Sequence, residues 1–321
     1  MAFPTVSVII PVRNEAKRIR QCIEGILKQT VPVQEIIVID SGSTDGTLEI
    51  LAEFPEVDVV EIDGSTFNHG LTRNLGVERA TGEFCQLTVG DAYAYNEVWL
   101  EEMLKGFLDD EVMAVCGQQV VDHLPENNPL QWFNPVDPIS ELKRIQFSKE
   151  DWQGLSNQER RDASRWDDVN AMYRRSALIE MPFEETGYSE DLIWANHALA
   201  RGWALSENHN GRVYHFHYET REFRFKRTFT ALYFIYRLHG VIPKTPKNRS
   251  VKTHAILFLR LLRLTGNPIS AARWLQYNHE CHLGYCEAIH IANRALAKSE
   301  EELDRQHQIH CSKPPIPPKR S

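Results

Sequence analysis

The stretch Thr5–Asp40 reads TVSVIIPVRNEAKRIRQCIEGILKQTVPVQEIIVID and decides the fold class of this 321-residue chain. Its two ends, Thr5–Pro11 and Glu35–Asp40, are continuous β-branched runs, typical of strands that are covered on both faces. Between them, Ala16–Gln29 carries its apolar residues at helical spacing. The stretch therefore predicts a strand, a helix and a second strand, which is the repeating unit of a parallel sheet.

The alternation of strand and helix continues beyond this first unit. Strands are predicted at Val57–Ile62, Phe84–Thr88 and Val112–Val121, and helices at Thr47–Phe54, His69–Ala80 and Val98–Leu108. Later elements are a helix at Glu190–Ala200 and short strands at Trp203–Ser206 and Val213–His217. Regular alternation of strands and helices predicts an α/β fold with a mostly parallel central sheet flanked by helices.

Composition changes divide the chain into three parts. The alternation of strands and helices stops between Asp122 and Arg165, where four prolines interrupt a polar stretch that we interpret as a lid or an acceptor-facing insertion. After residue 218 the pattern is helical to about Arg305, and a tail rich in Pro and Lys follows. We therefore predict an α/β domain at 1–218, a helical C-terminal extension at 219–305 and a disordered tail at 306–321.

An acidic residue stands where the strand Phe84–Thr88 ends. Asp91 lies at the carboxyl end of this strand, where open α/β sheets bind ligands and where a carboxylate could hold a divalent cation. The alternative is that Gly90 and Asp91 simply form a turn. His215 and His217 would project to one face of a strand, and one of them could complete the coordination shell begun by Asp91. A structural role for both histidines is the alternative.

Two polar loops, PVRNEAKRI and DSGSTDGT, follow the first two strands and should lie side by side. In the second loop, Asp40 could bind a ribose hydroxyl or a base edge, while Ser41–Gly46 supplies small residues and free amides. Asn68 and Arg73 begin a helix whose amides and guanidinium could meet phosphates. Each feature alone also fits an ordinary helix start. Together they indicate a nucleotide site that lacks the glycine fingerprint of dinucleotide enzymes.

A pair of acids, Glu190 and Asp191, opens the helix that follows the residues GYS. An acid pair that faces a cation and a nucleotide could deprotonate an incoming hydroxyl group, which makes Asp191 the candidate base. The alternative is that both carboxylates are there because the helix dipole favours them.

The net charge of -8 hides a basic segment, because residues 216–268 carry 11 Lys and Arg against two acids. Such a segment indicates an anionic partner, whether phospholipid, lipid pyrophosphate or nucleic acid, unless it is a solvated helix face. The basic, aromatic run 221–263 has the pattern of interfacial helices and predicts attachment to anionic membranes. His282, Cys286 and His290 recur at helical spacing but span too far for one zinc ion without other ligands.

Five motifs carry a family resemblance over roughly Thr5–Tyr218: IPVRNE, IVIDSGSTDGT, TRNLGVERATGEF, the acid Asp91, and YSEDLIWANHALARGW. In this order they resemble the inverting glycosyltransferases called family 2. FNHGLTRN and VYHFHYETREFRFKR resemble the rhamnosyltransferase branch of that family. The resemblance implies that residues 1–218 form a GT-A catalytic domain, the nucleotide-diphosphate-sugar fold.

The resemblance also implies a function. The protein would transfer a sugar from a nucleotide-diphosphate sugar to a saccharide or lipid-linked acceptor, with inversion at the anomeric carbon. The resemblance to the rhamnosyltransferase branch implies that this sugar is rhamnose and that the product belongs to a cell-surface polysaccharide. Asp191 would be the base, supported by Glu190, and Mg²⁺ or Mn²⁺ held at Asp91 would neutralise the departing diphosphate. Val89 stands where the family often has a further aspartate, so one contact is missing. The expected nucleotide contacts are Pro11, Arg13, Glu15, Asp40, Ser43, Asn68 and Arg73.

Two other functions stay open at this point. A non-catalytic nucleotide-binding or scaffold protein on the same fold is supported by the departure at Val89, whereas a dehydrogenase is disfavoured by the absent glycine fingerprint. The N-terminal residues lack signal-peptide features, and no apolar run reaches the roughly 20 residues that a membrane helix needs. We expect a cytoplasmic protein, peripheral on the inner membrane face if membrane-bound, with no nucleic-acid partner.

Overall fold

The computed structural model describes residues 4–134, 142–246 and 249–311. Within these ranges the chain forms two compact units. The first unit contains residues 4–120 and 142–215, and the second contains residues 121–134 and the described residues from 216 onward. The predicted boundary at 218 lies three residues beyond the end of the first unit, but residues 121–134, which were predicted as part of the α/β domain, belong with the C-terminal helices. Prolines 135 and 138 of the predicted insertion lie outside the described residues.

The first unit is built on one mixed sheet, in the described residues. The strands are β1 (Val6–Val12), β2 (Val33–Asp40), β3 (Val57–Glu61), β4 (Phe84–Leu87), β5 (Tyr93–Ala94), β6 (Val112–Val120), β7 (Lys143–Ile145), β8 (Ala171–Arg174) and β9 (Ala204–Tyr214). They are arranged in the order β3-β2-β1-β4-β8-β6-β9-β5, and β7 pairs with β9.

Parallel pairing joins β1 to β2 and β4, β2 to β3, and β6 to β9. The exception in the middle of the sheet is β8, which is antiparallel to both β4 and β6. Its amino end therefore lies beside the carboxyl end of β4, where Ala171 is paired with Leu87. This reversal brings residues that precede β8 to the edge where the parallel strands end.

Helices cover both faces of the sheet. They are α1 (Ile19–Leu27), α2 (Thr47–Leu51), α3 (His69–Arg79), α4 (Trp99–Lys105), α5 (Lys149–Gly154), α6 (Asn157–Ala163), α7 (Arg175–Glu180) and α8 (Glu190–Ala200). Successive residues of β1 face opposite sides, so that Ile10 packs in one apolar cluster with Ile23 of α1, and Ile9 in another with Val77 of α3. The strand runs are continuous in sequence because both faces are buried.

Two predicted elements differ from the structure. The two short strands predicted near 203–217 are one strand, β9, which ends at Tyr214, opposite the last residue of β6. His215 and His217 therefore lie beyond the strand and not within it. Helix α1 begins at Ile19 and not at Ala16, and the backbone amide of Ala16 donates to Asp45 at 3.1 Å.

The second unit is helical in its described residues. Its helices are α9 (Arg221–His239), α10 (Val251–Thr265), α11 (Pro268–Leu296) and α12 (Glu300–Cys311). The side chains of Asn128 and Asn278 exchange hydrogen bonds of 3.0 and 3.1 Å, which ties residues 121–134 to α11. In the described part of the chain, no helix combines the length and the apolar character that crossing a membrane requires.

The helix α12 corrects the predicted start of the disordered tail at 306. It continues to Cys311, because the ring of His307 stacks on Tyr233 at 4.0 Å and Cys311 is buried in the cluster around Phe229. These contacts come from α9 and are non-local, so composition alone could not reveal them. The rest of the predicted tail, residues 312–321, lies outside the described residues.

Candidate functional site

The order of the strands creates a crevice at the carboxyl ends of β1 and β4. The chain passes from β1 to β2 and β3 on one side, and then returns to place β4 on the other side of β1. Ligands of open α/β sheets bind at such a switch point, outside the carboxyl ends of the strands. Residues 13–18, after β1, and residues 88–92, after β4, border this crevice.

The two polar loops that follow β1 and β2 are joined by hydrogen bonds. The backbone amide of Asn14 donates to Ser43 Oγ at 2.8 Å, and its side-chain oxygen accepts from the amide of Thr44 at 2.8 Å. Asn14 has a positive φ of 59°, a conformation that asparagine tolerates better than most residues. The predicted side-by-side placement is confirmed, and Ser43 helps to hold it.

Asp40 ends β2 and is fully buried beneath the second loop. Its Oδ1 accepts from the amides of Gly42 and Ser43 at 2.9 Å each, which fixes the carboxylate. Its Oδ2 has no hydrogen-bond partner among the described residues. Because a buried acceptor without a partner is costly, this oxygen is suited to a donor from a bound ligand.

The other residues predicted around the nucleotide border the same loops. Pro11 lies in β1 and Arg13 follows that strand, with its guanidinium carbon 3.6 Å from the position that a Cβ on Gly64 would occupy. Glu15 lies beside Gly90, where a Cβ would come within 3.0 Å of the Glu15 side chain. Gly90 is therefore required by close approach between the loops after β1 and β4.

Asn68 and Arg73 have partners that differ from the predicted phosphate contacts. Asn68 caps α3, since its Oδ1 accepts from the amide of Leu71 at 3.2 Å, and its Nδ2 donates to Thr186 O at 2.8 Å. Arg73 is 4% exposed and forms ion pairs with Glu190 and, at 3.5 Å, with Asp168. The prediction for Arg73 is corrected, because its guanidinium is buried among carboxylates.

Arg73 is the buried cation of a carboxylate cluster at the start of α8. Asp168 is 1% exposed and accepts a hydrogen bond of 2.5 Å from Tyr173 Oη. Asp191 is held by the amide of Asp168 at 3.3 Å and by that of Leu192 at 2.7 Å. The candidate base is thus fixed by backbone donors, while its neighbour Glu190 turns to Arg73.

Two carboxylates of this cluster, Asp168 and Asp191, bind protons more tightly than an ordinary aspartate does. Burial raises the pKa of Asp168 to about 7, although the positive charge of Arg73 opposes the shift. Burial, and then the nearby charge of Glu190, raise the pKa of Asp191 well above its ordinary value. A base whose pKa approaches the working pH is effective in proton transfer, so this environment suits the predicted role of Asp191.

Asp91 lies in a turn closed by a hydrogen bond of 3.1 Å from the amide of Ala92 to Val89 O. The turn interpretation is confirmed, and the carboxylate of Asp91 also faces His215, while its role as a metal ligand stays a prediction. Its Oδ1 lies 3.4 Å from His215 Nε2. Two ligands at about 2.1 Å from one ion, at angles of 90–109°, are about 3.0–3.4 Å apart, so this pair fits a shared divalent cation.

A chain of hydrogen bonds sets the tautomer of His215. Its Nδ1 lies 2.6 Å from Gln119 Oε1, and the amide nitrogen of Gln119 donates to the carboxylate of Asp167. Because that carboxylate only accepts, the amide oxygen must face His215, and Nδ1 must carry the hydrogen. Nε2 then presents its lone pair towards Asp91, as a metal ligand does. His217 lies in the second unit, and its part in the site stays a prediction.

Asp167, Asp168 and Gln119 were missed by the sequence analysis. The residues WDDVN precede β8, and the amino end of a strand is far from the ligand edge when the sheet is parallel. Only the antiparallel direction of β8 brings them there. His282, Cys286 and His290, by contrast, do not converge as three metal ligands within the described residues.

Comparisons with known proteins identify the family to which this chain is similar. Residues 7–181 match the family described as Glycosyl transferase family 2. The O-antigen chain rhamnosyltransferase WbaN of Salmonella anatum is 32% identical over 232 residues, which cover 71% of each protein. The O-antigen chain rhamnosyltransferase RfbN of Salmonella typhimurium is 29% identical over 70% of each.

Solved structures show the fold. S. aureus TarS 1–349 in complex with UDP-GlcNAc superposes with a TM-score of 0.55 and 16% identity, covering 94% of this chain and 79% of that one. The mannosyltransferase PcManGT from Pyrobaculum calidifontis, in complex with GDP-Man and Mn2+, superposes with a TM-score of 0.54 and 19% sequence identity. The superposition covers 94% of this chain and 76% of that one. The predicted GT-A fold is confirmed.

Proposed function

Because the chain belongs to glycosyl transferase family 2, we propose that it transfers a sugar from a nucleotide-diphosphate donor to a saccharide or lipid-linked acceptor with inversion. Rhamnose is the proposed sugar and cell-surface polysaccharide the proposed product, since two similar proteins are named O-antigen chain rhamnosyltransferases. One observation carries the proposal: the joined loops, the Asp91–His215 pair and the carboxylates around Asp191 all lie where β1, β2 and β4 end.

The donor nucleotide would lie against the joined loops after β1 and β2. The free Oδ2 of Asp40 would accept from a ribose hydroxyl or a base edge, and Arg13 and the loop amides would meet the phosphates. Two neighbours with the same fold were solved with UDP-GlcNAc and GDP-Man, which supports a nucleotide-sugar donor without selecting the base.

Asp91 and His215 would hold Mg²⁺ or Mn²⁺, with His217 as a further candidate ligand. The ion would neutralise charge on the diphosphate as it departs. Gln119 acts through His215, since it keeps Nδ1 protonated and leaves Nε2 available to the ion. The Mn2+ complex of one structural neighbour supports a divalent metal, and the distance between Asp91 and His215 fits one.

The acceptor hydroxyl would be deprotonated by Asp191. The oxygen of the acceptor hydroxyl forms the new bond to the anomeric carbon, and its proton passes to the Asp191 carboxylate. The bond from the anomeric carbon to the diphosphate oxygen breaks, and the electron pair leaves with the diphosphate. Attack from the face opposite the diphosphate inverts the anomeric centre. Backbone amides orient this carboxylate, and its raised pKa makes it a better proton acceptor than an exposed aspartate.

Substitution of Asp191 separates catalysis from donor binding. Asp191→Asn should lower turnover by about 100- to 10,000-fold, because a general base typically contributes that factor, while donor binding stays near parental. Asp162→Asn, which changes an exposed acid of α6, is the matched control and should leave turnover unchanged. A folded Asp191→Asn protein with near-parental turnover would exclude Asp191 as the base.

A thermal-shift screen of nucleotide sugars with and without Mn²⁺ tests the donor and metal sites. Donor at a hundredfold excess over its dissociation constant should stabilise the protein by about 2.7 kcal/mol. Asp91→Asn should remove the response to Mn²⁺, and an unchanged response would exclude the metal site. If the parent bound a donor but no panel of saccharide acceptors gave turnover, the non-catalytic nucleotide-binding protein would be the better description.

A further inference from the structure

The basic run 221–263 consists of two helices with different surroundings. All five basic side chains of α9 form ion pairs with carboxylates of the second unit. Arg224 and Arg227 both hold the buried carboxylate of Glu219, at 2.6 Å each. The others pair Arg221 with Glu287, Lys226 with Glu222, and Arg237 with Glu300 and Asp304. Helix α9 therefore presents little free positive charge to an anionic partner.

The apolar side chains of α9 are part of the protein core. Phe225, Phe229 and Leu232 are buried in a cluster with residues of α11 and α12. Since its charges are paired and the apolar face around Phe229 is packed in the core, α9 does not have the free amphipathic face that the sequence predicted for an interfacial helix at 221–263. That part of the prediction is corrected.

Helix α10 has the opposite character. Residues 240–279, which include this helix, contain no Asp or Glu and seven Lys and Arg. On α10 itself, Lys252, Arg260 and Arg263 are exposed, and within the described part of the chain no carboxylate forms an ion pair with them. Within the residues that the structure describes, the positive charge of this helix is therefore not neutralised by ion pairs.

The face of α10 that carries these basic residues also exposes large apolar side chains. Ile256 is 57% exposed and Leu259 is 64% exposed, and of the whole helix only Leu261 is fully buried. At 100° per residue, these two side chains lie within the arc that also carries Lys252 and Arg263. An exposed face that mixes large apolar residues with unpaired cations is typical of helices that lie in the membrane interface.

We propose that α10 docks the protein on the surface of an anionic phospholipid membrane. The helix lies in the plane of the interface, with Ile256 and Leu259 among the upper acyl chains. Lys252, Arg260 and Arg263 extend to the lipid phosphates. Charge complementarity selects this partner, because a second copy would present an equally basic α10, and like charges would then face each other.

Vesicle flotation with the full chain tests the proposal. The protein should float with vesicles of phosphatidylcholine containing about 30% phosphatidylglycerol and not with phosphatidylcholine alone, and high salt should weaken the binding. Arg260→Gln with Arg263→Gln should lower the partition coefficient about 25-fold, at about fivefold for each cation. Ile256→Asn with Leu259→Asn should abolish flotation, since both apolar anchors are lost.

The matched control removes two basic groups from α9. Arg221→Gln with Lys226→Gln makes the same change in net charge, but both groups are ion-paired, so flotation should stay near parental. Circular dichroism confirms that each variant is folded. Equal loss in both double variants, binding that does not depend on phosphatidylglycerol, or a dimer in sedimentation that Leu259→Asn dissociates would overturn the proposal.

Discussion

Removal of the buried cation Arg73 should destabilise the protein far more than removal of a similar exposed one. Its guanidinium lies 3.5 Å from the carboxylate of Asp168 and also pairs with Glu190, and all three side chains are at most 7% exposed. At this distance and an effective dielectric constant of about 20, the attraction to one carboxylate is about 5 kcal/mol. Loss of one partner of a buried pair typically costs about 3–5 kcal/mol, which we expect for Arg73→Met at pH 8.

Helix α3 offers a matched control in Arg79. Its guanidinium lies at the same distance, 3.5 Å, from the carboxylate of Asp58, but these side chains are 47% and 54% exposed. Arg79→Met should therefore cost at most about 1 kcal/mol. Urea unfolding at pH 8 and pH 5 measures both variants, and the cost of Arg73→Met should be smaller at pH 5, where the abandoned carboxylates can take up protons.

The double variant Arg73→Met with Glu190→Gln distinguishes a charge effect from loss of packing. If the unpaired carboxylate of Glu190 causes the loss, the second substitution should recover part of it, with a coupling energy of at least about 1 kcal/mol. The reasoning would be refuted if Arg73→Met cost no more than Arg79→Met at pH 8. It would also be refuted if the two substitutions at the buried pair were simply additive.

Three further outcomes follow from other contacts of the structure. The pKa of Asp168 is raised to about 7, so its contribution to the free energy of unfolding is complete below about pH 4 and is lost as the pH rises to about 7. In urea unfolding, Asp168→Asn should therefore make the free energy of unfolding depend less on pH over this range. Gln119→Met should weaken Mn²⁺ binding by about 10- to 100-fold in calorimetry, whereas Gln118→Met on the same strand should not. Glu219→Gln should cost about 1.5–3 kcal/mol in thermal unfolding, because two arginines of α9 lose their shared negative charge and one of the two oxygens that accept from them.

Local pattern was sufficient for the first half of the fold. The strands β1 and β2 and the helix between them were predicted within a few residues, because their apolar residues follow the period of each element and no distant contact overrides them. The direction of β8 was not predictable from its sequence, since a short apolar run reads alike in both directions. The length of α12 likewise depends on contacts with Tyr233 and Phe229 of α9, which lie some 70 residues away in the chain.

The candidate site was predictable where its residues follow parallel strands. Asp40 and Asp91 were identified because they end β2 and follow β4, and the carboxyl ends of parallel strands meet at one edge. Arg73 was assigned to phosphates because it lies near a helix start, a position that does not reveal where a long side chain points. Asp168 and Gln119 act through partners that only the folded chain brings near, so no local motif marks them.

The stability of the carboxylate cluster and the basicity of Asp191 have one cause. Glu190, Asp168 and Asp191 surround a single buried cation, Arg73, which can neutralise only one of them. The other two must hold protons or remain charged without a cation of their own, Asp168 in the interior and Asp191 in a half-buried position. Their pKa values therefore rise, and the folded state loses stability towards neutral pH. A second buried cation would remove this cost, but it would also lower the pKa of Asp191 and weaken it as a base. The proposed proton transfer therefore requires more carboxylates than cations in this cluster, and the same imbalance lowers the free energy of unfolding.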